Sequence, residues 1–241
     1  MEKKRFLFIG NSHTYFNDMP ELVRRMCAEA GFCEAEICMQ ALPYATYQAH
    51  LEQETSLRFQ MVYGNFDFLI LQQAAHSPCP SREETLRDAR VLLRQARLNH
   101  IQPFQLLPWA EERFPEHQEA LNSVYCELAG TEGIPLIPAG LVFERARAEK
   151  GLPSLYWRDG EHASPWGSYA VAATIYSCIS GRSPIGLKAE SLSYAKIDKR
   201  PGQNEWGPRS FPLKADACRR LQELVFKCVR MQRQAFTNRP L

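Results

Sequence analysis

Long apolar runs are missing from this sequence, and so is any excess of charge of one sign. The apolar run behind the basic N-terminus, residues 6–9, is four residues long, whereas a signal peptide needs about 7–15 apolar residues and a membrane span about 20. The 29 Lys and Arg residues nearly balance the 27 Asp and Glu residues and are scattered along the chain. Nucleic-acid-binding domains carry clustered basic residues, so we predict no nucleic-acid partner. From the short apolar run we predict a cytoplasmic protein without a membrane partner.

Cysteine is present, but it lacks the spacing of a disulfide or zinc framework. The chain has eight cysteines, none of them in a Cys-x-x-Cys pair, and several fall on apolar helix faces. A chain of 241 residues buries enough apolar surface to fold without disulfides. We predict free, mostly buried thiols, no metal site and no cofactor. Metal ions can be bound by the side-chain types found at Asp159, Glu161 and His162, but residues so close in sequence rarely converge on one ion.

An alternation of apolar strands and amphipathic helices runs through the chain without a repeat or a change of composition. Strands are predicted at residues 6–9, 36–39, 66–71, 102–107 and 134–137. Helices are predicted from Asp18 to Gly31, at 47–59, after Ser81, at 115–129 before Gly130, and at 139–150, 165–179 and 213–236. This alternation predicts an α/β fold, a three-layer α/β/α sandwich with a five-stranded parallel sheet. We predict one domain over residues 1–241, with a core at about 5–180 and an irregular segment, 183–212, packed on it with the last helix.

Three of the predicted helices begin at residues that are typical of helix starts. We predict capping boxes at Asp18 with Glu21 and at Ser81 with Glu84, and an N-cap at Ser164 before Pro165. In each case a side-chain oxygen would satisfy a backbone N–H that the first helical turn leaves without a partner.

A serine follows the first strand directly, in the segment Gly10-Asn11-Ser12-His13-Thr14. A strand, a tight turn, an exposed hydroxyl and a helix are how α/β enzymes present a nucleophile above the carboxyl edge of the sheet. A serine hydroxyl is a poor nucleophile unless a histidine, itself oriented by a carboxylate, takes its proton. Asp159 and His162, three positions apart in one loop, supply both groups. We expect them to converge with Ser12 at that edge, although Ser12 or Asp159 alone could simply cap a turn.

These two segments resemble sequence blocks of the SGNH (GDSL-type) hydrolases. Residues 10–14 are similar to the first block, usually Gly-Asp-Ser followed by a hydrophobic residue, and residues 159–162 match the last, Asp-x-x-His. The resemblance spans roughly residues 5–180 in element order, but only these two blocks are specific. It is greatest with an uncharacterised bacterial branch that begins Gly-Asn-Ser and ends its third strand in Leu-Gln, as Leu71-Gln72 does here. The resemblance implies the flavodoxin-like SGNH hydrolase fold and a triad of Ser12, His162 and Asp159.

The oxyanion-binding residues depart from the pattern that this resemblance implies. In the family, the oxyanion contacts the serine N–H, the N–H of a glycine after the second strand, and an asparagine side chain after the third. This chain has no glycine between residues 31 and 64. Pro43 has no N–H, so the amide of Tyr44 or Ala45 would supply the second donor.

The amide side chains at the end of the third strand are candidates for the remaining donor. Gln72 or Gln73 would replace the asparagine, since its amide can also donate, or would only hold the loop. Asn11 and His13, which flank Ser12, and Trp109 after the fourth strand are candidates for the substrate-binding wall. Both His13 and Trp109 could equally be packing residues, because aromatic rings serve cores as well as sugar-binding clefts.

The resemblance implies a serine esterase or deacylase whose partner is a small-molecule ester. It implies small acyl groups, with acetyl on a carbohydrate as one candidate, and the sequence selects neither the substrate nor the oligomeric state. Two alternatives use the same residues. One is transfer of the acyl group to a sugar or another alcohol, and the other is a fold kept for binding with little turnover, which the altered oxyanion residues favour.

Overall fold

A five-stranded parallel sheet forms the centre of the computed structural model, which describes residues 1–76, 79–194 and 208–237. The strands are β1 (Lys3–Gly10), β2 (Glu34–Ala41), β3 (Phe68–Leu71), β4 (Gln102–Leu106) and β5 (Leu136–Ile137). They lie in the order β2-β1-β3-β4-β5, and every neighbouring pair is parallel. The predicted sheet is confirmed, and β1, which leads into the turn that carries Ser12, lies between β2 and β3.

Helices cover both faces of this sheet. They are α1 (Ser12–Tyr15), a 3₁₀ turn (Phe16–Asp18), α2 (Met19–Glu29), α3 (Tyr47–Glu52), α4 (Glu54–Tyr63), α5 (Arg82–Leu98), α6 (His117–Glu132), α7 (Ala139–Ala148), α8 (Pro165–Ser180) and α9 (Ala215–Thr237). Phe6 and Phe8 of β1 belong to a core that contains residues of α2, α7, α8 and α9. Leu7 and Ile9 belong to a second core, with residues of α3 to α6. Because successive strand residues point to opposite faces, both faces of β1 are buried, and the predicted three-layer sandwich is confirmed.

The prediction that residues 183–212 are irregular is wrong in two places, where the segment forms strands. Strand β6 (Glu190–Tyr194) pairs antiparallel with β7 (Pro208–Pro212), and residues 195–207 lie outside the described part of the chain. Leu192 of β6 is buried in the first core. Short strands with one buried apolar residue give too weak an alternation to be read from sequence.

Two helix predictions also need correction. The 47–59 segment forms two helices, α3 and α4, with a break at Gln53, and α6 continues through Gly130 to Glu132. The residue that ends α6 is Gly133, whose φ of 61° is left-handed, a conformation that glycine adopts readily. Gly130 is therefore an interior helix residue.

The thiols and acidic groups show no metal or disulfide framework. All eight cysteines are free; four of them are buried, namely Cys27, Cys33, Cys218 and Cys228, and Cys79 is exposed. Among the described residues, no group of three or more His, Cys, Asp and Glu side chains could hold a metal ion. Within the same residues, no helix is both long and apolar enough to cross a membrane.

Candidate active site

The turn that carries Ser12 is built at the carboxyl end of β1. Asn11 is the N-cap of α1: its Oδ1 accepts a hydrogen bond from the N–H of His13 at 3.1 Å. Its backbone carbonyl accepts from the N–H of Thr14 at 2.9 Å. Gly10 has no room for a side chain, since a Cβ there would lie 2.2 Å from Thr14 Oγ1 and 2.6 Å from Gln72 Oε1. The sharp turn leaves the Ser12 hydroxyl at the sheet edge, half-buried.

The structure brings Ser12, His162 and Asp159 into one hydrogen-bonded line. His162 Nε2 lies 2.8 Å from Ser12 Oγ, although the two residues are 150 positions apart. His162 Nδ1 lies 2.9 Å from Asp159 Oδ2. With Asp159 ionised, Nδ1–H donates to the carboxylate and Nε2 is left to accept the serine proton, which is the tautomer that a general base needs.

Asp159 is held ionised by the turn that it caps. Its Oδ1 accepts hydrogen bonds from the N–H groups of Glu161 and His162, each at 2.9 Å. Partial burial opposes ionisation, but these bonds and the one from the His162 ring outweigh it, so the pKa of Asp159 lies below its usual value. The capping role and the orienting role are therefore performed by the same carboxylate.

A loop after β4 supports the Asp159–His162 turn from behind. Trp109 Nε1 donates to the carbonyl of Glu161 at 2.9 Å, and the N–H of Glu112 donates to the carbonyl of Gly160 at 2.8 Å. Trp109 is 1% exposed and stacks on Phe143 at 4.3 Å between ring centroids. Its burial leaves no face for substrate, so the structure assigns Trp109 to support of the turn and not to the predicted substrate-binding wall.

Two aromatic rings stack on His162, and a third lies beside one of them. The Phe16 ring stacks on it at 4.4 Å with an interplanar angle of 26°, and the His13 ring stacks on it at 5.1 Å and 12°. Trp157 lies beside Phe16, at 6.5 Å between centroids. Asn17 ties this segment to the chain after His162, because its Nδ2 donates to the carbonyl of Ala163 at 3.0 Å. Sequence reasoning missed Phe16 and Asn17, whose only signal was their closeness to Ser12.

Burial keeps His13 neutral. It lies edge-on to His76, at 4.4 Å between ring centroids, as well as against His162. Burial lowers the pKa of His13 well below its usual value, and the neighbouring His76 and His162 imidazoles add to the effect. His76 itself donates from Nε2 to the carbonyl of Trp109 at 3.2 Å, and burial lowers its pKa as well.

Gln72 holds the turn around Ser12 with its side-chain amide. Its Oε1 accepts from the N–H of Asn11 at 3.0 Å and from Thr14 Oγ1 at 2.9 Å. Its Nε2 donates to the carbonyl of Gln73 at 2.6 Å. The Gln72 amide is therefore committed within the protein, and it fits the loop-holding alternative better than the oxyanion role.

The side-chain nitrogen of Gln73 has no hydrogen-bond partner, but it is buried and inaccessible to a substrate. Its Oε1 accepts from the N–H groups of Tyr47 and Ala74, at 2.8 and 3.1 Å. Its Nε2 has no hydrogen-bond partner, and the residue is 0% exposed. Gln73 would need a local opening to reach an oxyanion.

The backbone donors near Ser12 differ in what they bind. The N–H of Ser12 donates to no group in the described part of the chain, so it is available to an oxyanion. The N–H of Ala45 donates to the carbonyl of Leu42 at 3.2 Å, which removes Ala45 from the predicted donors. Tyr44 remains: its side chain is 88% exposed and its φ is 59°. Asn11 Nδ2 donates to the Ala45 carbonyl at 3.1 Å, so Asn11 connects the two loops and is not a wall residue.

Comparison with solved structures finds known proteins with the same fold. No protein-family model matches the chain, and no curated protein matches it. Among solved structures, the chain is similar to a candidate SGNH hydrolase from Slackia heliotrinireducens, with 23% identity, a TM-score of 0.65, and coverage of 74% of this chain and 100% of that one. A DUF4886 family protein from Bacteroides uniformis gives 14% identity, a TM-score of 0.66 and 95% coverage of both chains. An acetyl xylan esterase gives 15% identity, a TM-score of 0.59, and coverage of 73% of this chain and 99% of that one.

These likenesses show the fold. The chain has the α/β/α fold of the SGNH hydrolases, as the sequence blocks at residues 10–14 and 159–162 predict.

Proposed function

We propose that the chain is a serine esterase that hydrolyses small acyl esters with Ser12 as nucleophile, His162 as general base and acid, and Asp159 as the group that orients His162. The observation that carries the proposal is the hydrogen-bonded line Asp159–His162–Ser12, with distances of 2.9 and 2.8 Å. These distances fall within the range in which a base can take a proton from a nucleophile.

The proposed reaction has two halves. Ser12 Oγ attacks the ester carbonyl carbon while His162 Nε2 takes the serine proton, and the carbonyl oxygen becomes an oxyanion. His162 then gives the proton to the leaving alcohol as the ester C–O bond breaks, which leaves an acyl group on Ser12. In the second half, water gives a proton to His162 and attacks the acyl carbon. The bond between that carbon and Ser12 Oγ then breaks, His162 returns the proton to Ser12, and the carboxylic acid leaves.

The oxyanion would be held by the Ser12 N–H, with the Tyr44 N–H as the candidate for a second donor. Gln72 is engaged within the protein and Gln73 is covered. Loss of one donor typically costs about 10²–10³ in turnover. A missing oxyanion donor would be consistent with a slow esterase and also with a binding protein that has this fold and little turnover.

Two exposed aromatic side chains support an acylated sugar as the substrate class. Tyr44 is 88% exposed, and Trp157, beside Phe16, is 38% exposed. Flat aromatic faces next to a nucleophile suit the apolar faces of sugar rings, and one structural neighbour is named an acetyl xylan esterase. Tyr44→Ala and Trp157→Ala should each raise KM for an acetylated xylo-oligosaccharide more than KM for p-nitrophenyl acetate. Equal effects on the two substrates would count against the sugar.

The triad is tested with a fluorophosphonate probe and with p-nitrophenyl acetate. Wild type should be labelled at Ser12, and Ser12→Ala and His162→Ala should each lower turnover by at least ~10³, because triad members act as a unit. Ser123→Ala, which changes an exposed serine on α6, is the matched control and should behave as wild type.

Each alternative has its own result in this assay. A wild type that neither reacts with the probe nor hydrolyses the ester would favour the binding protein. Turnover that survives Ser12→Ala would refute the mechanism. Acyl transfer is recognised from the products: with a competing alcohol, the transferase would yield a new ester in place of free acid.

A further inference from the structure

The two hydrogen bonds of His162 orient its ring, with Nδ1 bonded to Asp159 and Nε2 to Ser12. Hydrogen bonds tolerate some angular deviation, so small rotations about the two side-chain torsions of His162 can still misdirect the Nε2 lone pair from Ser12 Oγ. A misplacement of about 1 Å can cost 10²-fold in rate. Contacts on the flat faces of the ring would restrain these rotations.

Phe16 and His13 both stack on the His162 ring. Their rings lie 4.4 and 5.1 Å from the His162 ring and within 26° and 12° of its plane. No ring contact joins Phe16 to His13 in the described chain, as expected if His162 lies between them. Both belong to the segment that carries Ser12, so nucleophile and stacked rings move as one unit.

The two stacking residues are themselves held. Asn17, next to Phe16, donates from Nδ2 to Ser168 Oγ at 2.9 Å and to the Ala163 carbonyl at 3.0 Å. His13 packs edge-on against His76 and Trp109, with centroid distances of 4.4 and 5.0 Å. The His13 ring cannot turn away without breaking its contacts with His76 and Trp109, and the bonds of Asn17 fix the backbone that carries Phe16.

We propose that Phe16 and His13 are positioning residues that hold the His162 imidazole between their rings, so that it stays aligned with Ser12 and Asp159 while it gains and loses its proton. The inference rests on the proposed esterase function. Both neighbours contact His162 through their flat faces, so they do not compete for the hydrogen bonds of its Nδ1 and Nε2.

Kinetics separate this role from a general loss of structure. Phe16→Leu and His13→Leu should each lower kcat by about 10-fold to 100-fold with little change in KM, because alignment and not substrate binding is lost. Phe16→Tyr and His13→Phe, which restore a flat ring, should return kcat close to the wild-type value. Phe114→Leu is the matched control, since Phe114 stacks on the surface residue His117 at 5.2 Å and the same angle of 26°, and it should leave kcat unchanged.

A second measurement does not depend on activity. In wild type, NMR signals of the His162 ring protons should be shifted upfield by the ring current of Phe16, and Phe16→Leu should abolish that shift while Phe16→Tyr keeps it. If wild type shows no esterase activity but this pattern is seen, the proposed function fails and the positioning of the ring stands.

Three results would overturn the inference. One is wild-type kcat in both leucine variants. Another is a His13→Phe variant as slow as His13→Leu, which would mean that an imidazole nitrogen of His13 is required and not its ring face. The third is an unchanged His162 spectrum in Phe16→Leu.

Discussion

Gln72 connects the end of β3 to the turn that presents Ser12. Its Oε1 accepts two hydrogen bonds from that turn, and its Nε2 donates to the Gln73 carbonyl. The residue is 3% exposed, so no water can replace these bonds if the side chain is removed. A buried donor left without a partner costs about 1–3 kcal/mol.

Gln72→Leu should therefore destabilise the fold as well as slow the reaction. It leaves the Asn11 N–H and the Thr14 hydroxyl without their acceptor, and we expect the free energy of unfolding to fall by roughly 2–5 kcal/mol, from two such buried donors and the lost packing. Urea unfolding measures the loss, and Gln48→Leu, an exposed change on α3, is the control. If Gln72→Leu lowered kcat by about 10²–10³ with unchanged stability, Gln72 would be an oxyanion donor instead.

At the scale of elements, two helix starts with the same spacing differ in the structure. Ser81 and Glu84 form the predicted capping box at α5, with both reciprocal hydrogen bonds. Asp18 precedes α2 in a left-handed conformation, with φ and ψ of 50°, and its side chain makes no capping bond, while Glu21 pairs with Arg24 and Arg25. The capping box predicted at Asp18 is wrong.

The physical reason is tertiary. The residue before Asp18, Asn17, is also left-handed, with a φ of 54°, and its side chain is tied to Ala163 and Ser168. These contacts set the direction in which the chain enters α2. An N-cap residue normally has extended backbone angles, which Asp18 cannot adopt here.

Matched substitutions should reveal this difference between the two starts. Ser81→Ala should lower the free energy of unfolding by about 0.5–2 kcal/mol, the usual cost of a lost N-cap. Asp18→Asn, which keeps a residue that tolerates the left-handed region, should change it by less than about 0.5 kcal/mol. Chemical denaturation of both variants decides the point, and a larger loss at Asp18 would show that its carboxylate does cap α2 in solution.

The sequence predicts elements better than it predicts their ends. All five strands of the sheet occur at the segments predicted for them. The clearest signals are those of β1 and β3, because strands buried on both faces read as continuous apolar runs. The prediction that a helix ends at Gly130 is wrong because the sequence does not show which glycine has a positive φ. Gly133, three residues later, has that conformation.

At the scale of the whole molecule, three histidines lie in or beside the edge of the sheet that carries Ser12: His50 is fully buried, and His13 and His76 are partly buried. Burial lowers the pKa of His13, His50 and His76. His50 is 0% exposed and donates from Nε2 to the Gly10 carbonyl at 2.8 Å, so it supports the strand end before Ser12 as a neutral ring. The folded protein therefore resists protonation at all three sites.

Acidification below about pH 6.5 should consequently destabilise the protein. The unfolded chain binds protons at these histidines near pH 6.5 and the folded chain does so only at lower pH, so stability falls as pH falls, by up to about 1.4 kcal/mol per pH unit for each histidine. Urea unfolding at pH 7.5, 6.5 and 5.5 measures the slope. His50→Gln keeps a side-chain N–H but cannot titrate. Between pH 6.5 and 5.5 it should reduce the slope of unfolding free energy against pH by the contribution of one proton, up to about 1.4 kcal/mol per pH unit. A slope that is flat in wild type would contradict the burial of these rings.

The sequence by itself determined the order of strands and helices along the chain, and it singled out Ser12, Asp159 and His162 as the residues that we propose to form a triad. These follow from local rules: apolar periodicity, the chemistry that a serine nucleophile requires, and the gathering of strand ends at one edge of a parallel sheet. Only the tertiary structure decided what surrounds them. It showed that Trp109 and Gln72 support the site from within, that Ala45 has no free N–H, and that Phe16 and His13 meet the faces of His162. The reason is that hydrogen-bond partners and stacking neighbours are contacts between distant segments, and their geometry exists only once the segments are packed together.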